Sequence, residues 1–264
     1  MPEGVTSRPA IPKTGPALTR GLAGASRHPY LEGRPWPHLV IDGALTKKQA
    51  AAATVEIDAV PKEAMTWQVS RRIRKASISS LDDLGSTVRA ILADLADPAT
   101  VGSLSLLTGV DDLIDDPRLT YAGVYVTPPG GWQKVHEDFP KHPVTGLWNR
   151  VAVLVYLSEW HPGDGGELEL WPRDMSACGR LVEPIAGRMV VFETSAATRH
   201  GIRPVNPGAR ARYAIGTRYY SPRPPAARPS SALRRSVRRP GESLRELIPT
   251  VGEMRDYLRA YTAS

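Results

Sequence analysis

The sequence is nearly without cysteine. Cys178 is the single one, which excludes an intrachain disulfide framework and fits a reducing compartment. A lone thiol of this kind reads as inert rather than catalytic. Long apolar runs are missing too: none approaches the roughly 18 residues of a membrane span. The opening stretch MPEGVTSRPAIPKTGPALTRG has no apolar core of the kind a secretory signal needs. These absences predict a cytoplasmic protein with no membrane partner. They leave the oligomeric state open.

Acidic residues are absent from one segment in particular. Residues 221–240, SPRPPAARPSSALRRSVRRP, hold six arginines and no acid, and so account for most of the formal charge of +7. Residues 1–35 carry +3, whereas 36–220 and 241–264 each carry −1. The basic character therefore belongs to the tails, and the body is nearly neutral. A nucleic-acid surface on the body is not expected, although the basic tail could serve as a phosphate-binding arm. A Pro/Arg/Ser segment reads first as a solvated linker.

The texture of the chain changes along its length. Residues 1–35 are rich in Pro, Gly, Ser and Ala without periodicity, and are expected to be disordered or draped over the surface. PWPHLVIDGAL then opens the ordered body with a short apolar strand. Thr46 is a plausible N-cap for the helix formers that follow it. Leu84, Val88, Ile91, Leu92 and Leu95 fall at helical spacing, with Pro98 beyond the end, and a further short helix is expected over 103–118. From Leu119 the runs LTYAGVYVT, NRVAVLVYLSEW, GELELW, GRLVEPI, GRMVVFET and RARYAIGTRYY are short, rich in Val, Ile, Leu and Tyr, and punctuated by Gly and Pro. The expected class is α+β: a double-stranded β-helix (jelly roll) core from about residue 119, with the N-terminal helices packed on one side. The ordered domain would span 36–220, followed by a basic linker and a short helical segment over 221–264.

One stretch within the β region carries chemistry. In WQKVHEDFPKHP, His136 and Asp138 are two residues apart, so on a strand both face one way while Glu137 faces the other. Such a pair is either an ordinary polar face or two-thirds of a metal site. Of the six histidines, His200 is the one placed at the start of a later strand, with room for four or five strands between it and Asp138. Two imidazoles and a carboxylate would make the facial triad that suits non-haem Fe(II) with an organic ligand and O2. A 2-oxo acid bound there needs a cation for its far carboxylate, and RARYAIGTRYY offers Arg210 and Arg212. Either arginine could equally be a solubilising residue of an edge strand.

Taken in order, VHEDF, HPVTGLWNRVAVLVYLSEW, GGELELW, GRMVVFETSAATRHGIRPV and RARYAIGTRYY resemble the Fe(II)/2-oxoglutarate-dependent dioxygenases, in their prolyl-4-hydroxylase-like branch. The resemblance covers about 36–220. It implies Fe(II) on His136, Asp138 and His200, with 2-oxoglutarate and O2 as cosubstrates and ascorbate as a possible stimulant. It implies Arg212 on the 2-oxoglutarate C5 carboxylate, supported by Tyr156, with Tyr125 as another tyrosine close to the cosubstrate. The interval from His200 to Arg212 is longer than is usual in the family, which keeps Arg210 as a rival. Arg150 would face substrate or cosubstrate, and Trp132, Phe139, His142 and Trp148 are candidate substrate-pocket residues, the alternative being packing under a loop. Val153, Val155 and Val191 are candidate apolar walls. The implied activity is hydroxylation of an unactivated C–H of a small molecule, an amino acid or biosynthetic intermediate, with release of succinate and CO2. The alternatives are a prolyl-type hydroxylase of a peptide or ribosomal protein, and a non-catalytic metal-binding jelly roll.

Overall fold

A computed structural model of the chain describes residues 17–225. Five α-helices precede the main run of strands: α1 (Ala17–Leu22), α2 (Arg27–Glu32), α3 (Lys47–Asp58), α4 (Ser86–Ala96) and α5 (Pro98–Thr108). The strands are β1 (His38–Ile41), β2 (Thr66–Val69), β3 (Ile73–Ile78), β4 (Gly123–Thr127), β5 (Trp132–His136), β6 (Trp148–Tyr156), β7 (Leu168–Trp171), β8 (Arg180–Val182), β9 (Met189–Glu193), β10 (Arg199–Ile202) and β11 (Arg212–Ser221). They pair antiparallel in the order β1-β9-β6-β11-β4-β3-β5-β10-β7-β8, with β2 on β3, and curl into a nearly closed barrel. This is the expected α+β class with a double-stranded β-helix core.

The alternation of side chains along β6 and β9 builds two cores at once. Val151, Val153, Val155, Met189 and Val191 join the cluster that holds the buried side chains of the helices. Their neighbours Ala152, Tyr156, Val190 and Phe192 join a second cluster inside the barrel. Strands covered on both faces read as unbroken apolar runs, which is why AVLVY and MVVF show no period. The expectation that Val155 and Val191 wall the site is therefore corrected: they face the helices, and Ala152, Leu154 and Phe192 face the cavity.

Several local expectations hold. Thr46 caps α3 through a capping box with Gln49. Val88, Ile91, Leu92 and Leu95 form the buried stripe of α4. Two are corrected. Pro98 lies beyond the end of α4, as expected, but the next helix runs over 98–108 and not 103–118: the Asp97 carboxylate caps Ala99 N–H, proline suits the first turn, and α5 stops at Gly109 in the left-handed conformation (φ 79°). Residues 17–32 are packed and not draped: Leu18, Leu22 and Tyr30 are buried, and Thr19 bonds Thr100 on α5. Six-residue helices have too little periodicity to announce themselves, and tertiary burial decides them. The expected C-terminal helical segment lies outside the described residues.

Candidate metal centre and cosubstrate pocket

The β5–β10 pairing brings the distant histidine to the first pair. His200 lies directly opposite His136 in the antiparallel register, and the two rings are 4.4 Å apart between centroids. Asp138 follows just past the end of β5. Its Oδ1 lies 3.8 Å from His136 Nε2 and 3.9 Å from His200 Nε2. One donor atom from each of the three residues falls within 4.8 Å of the others, a spacing that one metal ion could bridge. Glu137 points the other way, to Arg199 at 2.7 Å, as period-two alternation requires.

The electrostatics suit ligation. Burial, reinforced by the facing His200, pushes His136 down to about 3 against the pull of Asp138. His200 is lowered mainly by burial as well. Both imidazoles are thus neutral with lone pairs available at neutral pH. His136 Nδ1–H donates to the Lys134 carbonyl at 3.0 Å, which turns Nε2 toward the site. Burial would raise Asp138, but Arg218 and the imidazoles outweigh it and hold the carboxyl far below its ordinary range.

A second group of side chains lies on the strands beside the triad. Arg212 is buried, lies 4.8 Å over the Tyr156 ring, and its Nε and Nη2 have no hydrogen-bond partner. Thr127, opposite Arg212 in the β4–β11 register, and Tyr156 also carry buried hydroxyls without partners. Unsatisfied buried donors are rare, and four converging atoms of this kind suit an anionic ligand. The donor sets therefore fit the two groups that the resemblance implies: a metal at the imidazoles and a dicarboxylate reaching Arg212. Tyr125 lines the same cavity, its hydroxyl donating to the Tyr121 carbonyl at 2.5 Å. Gly216 makes room for that ring, since a Cβ there would collide with it.

The rest of the expected set divides. Phe139 lines the cavity and packs on Tyr121 with centroids 4.9 Å apart. Arg210, the rival of Arg212, is exposed and does not line the cavity; it borders, with Arg212, a small pocket beside Trp160. Arg212 opens β11 and is buried against the cavity, so it holds the inward position. Trp132, His142, Trp148 and Arg150 do not line the cavity. Trp132 sits across from Arg74 where β3 pairs with β5. His142 is a loop-builder, taking Val144 and Thr145 N–H groups on Nδ1 and facing Asp116 from Nε2. Trp148 is covered by Lys141, and Arg150 donates to the Arg223 carbonyl.

Sequence reading missed Arg218, Lys75 and Gln133. Arg218 forks Asp138 with Nη2–Oδ1 at 2.9 Å and Nε–Oδ2 at 3.2 Å, and its Nη1 reaches the Tyr125 hydroxyl and Tyr121 carbonyl. The only signal was its even spacing from Arg212 on one strand. Lys75, on a hairpin that the sequence reading did not resolve, donates to Gln133 Oε1 at 2.8 Å. The Gln133 amide nitrogen approaches His136 Nε2 at 3.0 Å. Together these residues line a cavity of about 450 Å³.

Comparison with known proteins agrees with this geometry. Residues 122–220, the segment from β4 through most of β11, match the model of the 2OG-Fe(II) oxygenase superfamily. Over that segment, which carries the triad and Arg212, the chain is similar to a superfamily whose members use Fe(II) and 2-oxoglutarate. Its neighbours in fold lie in the prolyl-4-hydroxylase-like branch and beyond it. A Pseudomonas putida prolyl-4-hydroxylase is 21% identical with a TM-score of 0.53, over 70% of this chain and 92% of that one. A Trichoplax adhaerens prolyl hydroxylase, solved with a hypoxia inducible factor peptide, is 17% identical with a TM-score of 0.53, over 70% and 83%. The carbocyclase SnoK from nogalamycin biosynthesis is 15% identical with a TM-score of 0.56, over 79% and 87%. No curated protein sequence matches the chain.

Proposed function

We propose that the protein hydroxylates an unactivated C–H of a small molecule, with His136, Asp138 and His200 holding Fe(II) and Arg212 holding the C5 carboxylate of 2-oxoglutarate. One observation supports this most: a metal-spaced triad and a buried arginine with unsatisfied donors lie within a single cavity lining. Bound iron supplies the oxidation by O2, in which 2-oxoglutarate becomes succinate and CO2 and the substrate gains a hydroxyl. The chain's own residues place the reactants. His136 and His200 offer neutral nitrogens, and Arg218, itself held by Tyr125, fixes the carboxylate of Asp138. Thr127, Tyr156 and Arg212 receive the far end of the cosubstrate. Ala152, Leu154 and Phe192 present apolar surface that excludes water from the reacting region.

The cavity volume of about 450 Å³ lies within the range typical of small-molecule sites. This favours a free metabolite over a peptidyl residue. The test is succinate release under air with Fe(II) and 2-oxoglutarate, comparing free amino acids with proline-containing peptides. Stimulation by a free small molecule is expected. Stimulation by the peptides alone would reverse the substrate assignment, and no 2-oxoglutarate turnover under any condition would leave only a metal-binding module.

A further inference from the structure

Lys75 is a cationic group of the cavity that no carboxylate accounts for. Its Nζ sits 4.5 Å over the Tyr125 ring and spends one N–H on Gln133 Oε1. Among the described residues, no acid lies within ion-pair distance of it. Both carboxylates that line the cavity are engaged elsewhere: Glu137 with Arg199, and Asp138 with Arg218 and the two imidazoles. Arg72, Lys134, Arg212 and Arg218 line the same space, so positive charge outnumbers negative there. Burial, and then the charge of Arg218, push Lys75 down to about 7, the behaviour of an ammonium group among cations.

Resting on the oxygenase reading, we propose that Lys75 anchors an acidic group of the primary substrate, so that the enzyme takes a small carboxylic acid and not a neutral molecule or an internal peptide residue. Two N–H donors of Lys75 remain for a carboxylate oxygen, and the Tyr125 ring beneath holds the side chain in place. Arg212 stands at the same level across β4, on β11 opposite Thr127, and serves the cosubstrate. The Arg218 fork is spent on Asp138. The hydrophobic surface of Leu154, Phe192 and Ile202 is left for the carbon skeleton. An internal prolyl residue of a peptide brings no carboxylate to this point; a free acid does.

The experiment uses acetate as the probe, because it fits any site that accepts a carboxylate. Wild-type protein is loaded with Mn(II) and saturating 2-oxoglutarate without O2, and the broadening of the acetate methyl signal is titrated by proton NMR, with acetamide as the neutral control. Saturable broadening of acetate and little of acetamide is expected. Lys75→Met should weaken acetate binding at least about tenfold while leaving the broadening of 2-oxoglutarate unchanged, and Lys75→Arg should restore part of it. Equal broadening of acetamide, absence of acetate broadening, or unchanged acetate binding in Lys75→Met would each overturn the proposal. Lost 2-oxoglutarate broadening in Lys75→Met would overturn it differently, by giving Lys75 to the cosubstrate. Failure of wild type to broaden 2-oxoglutarate at all would bring down the metal-site assignment beneath it. The wild-type comparison of acetate with acetamide stands even if the methionine variant does not fold.

Discussion

Arg212 and Arg218 sit six residues apart on β11, at positions of the same parity, and both line one cavity. Their surroundings differ completely. Arg218 is spent: it forks Asp138 and bonds Tyr121 and Tyr125. Arg212 is buried with two nitrogens unbonded, beside two hydroxyls in the same condition. A buried arginine whose partners come from the chain itself organises the site. One whose partners are missing waits for a ligand. The difference lies in the company each keeps, which residue type alone does not reveal.

The comparison breaks most visibly at the groups the arginines serve. Asp138→Ala or His200→Ala should abolish 2-oxoglutarate turnover, measured as succinate release, with loss of tight metal binding. Arg212→Met should come next, weakening 2-oxoglutarate by roughly 100-fold through loss of a charge-assisted, two-pronged contact, with Arg212→Lys intermediate. A titration of 2-oxoglutarate against the metal-loaded protein reads this directly.

Arg218→Gln should act differently, on stability more than on cosubstrate affinity. It leaves the Asp138 carboxylate buried and unpaired, which costs about 3 kcal/mol in the metal-free protein. A divalent ion would then restore charge balance, so Mn(II) should raise the melting temperature more in the variant than in wild type. An equal rise in both would mean that the fork contributes nothing to Asp138.

The pH dependence has a definite sign. His136 and His200 have folded pKa values below the unfolded value of 6.5, so the unfolded chain binds more protons below that pH. Metal-free protein should therefore lose stability as pH falls from about 6.5, with His136 contributing on the order of 2 kcal/mol by pH 5. Asp138, also lowered, adds a further loss only below its unfolded value of 3.8. Denaturant melts at pH 7 and pH 5, repeated with His136→Gln, check this; the variant should show the shallower fall. The smallest effect is expected for Arg210→Ala, which should change 2-oxoglutarate affinity less than about twofold. A larger loss there would return the cosubstrate to the rival arginine.

What could be read from the sequence followed the range of its signals. His136 and Asp138 are legible because a strand's period is short and local. His200 needed strand counting and the family resemblance, and the register then set it opposite His136. Arg212 was chosen over Arg210 on its motif, and burial separates the two. Lys75, Gln133 and Arg218 were not legible, because their roles arise from pairings among β3, β4, β5 and β11 across long loops. Trp132, His142 and Trp148 show the reverse error: nearness in sequence to the triad suggested a pocket, whereas the chain places them at two strand starts and in a loop, away from the cavity lining. The helices at 17–32 were hidden by a proline- and glycine-rich composition, and their order comes from the contacts of Leu18, Leu22 and Tyr30 with the helical layer.

The most direct single measurement is the visible charge-transfer absorption of protein mixed with Fe(II) and 2-oxoglutarate in the absence of oxygen. Wild type should show a weak band that His200→Ala lacks and Arg212→Ala shows only at much higher cosubstrate concentration. A wild-type protein without the band, or a His200→Ala variant that keeps it, would contradict the placing of iron on His136, Asp138 and His200.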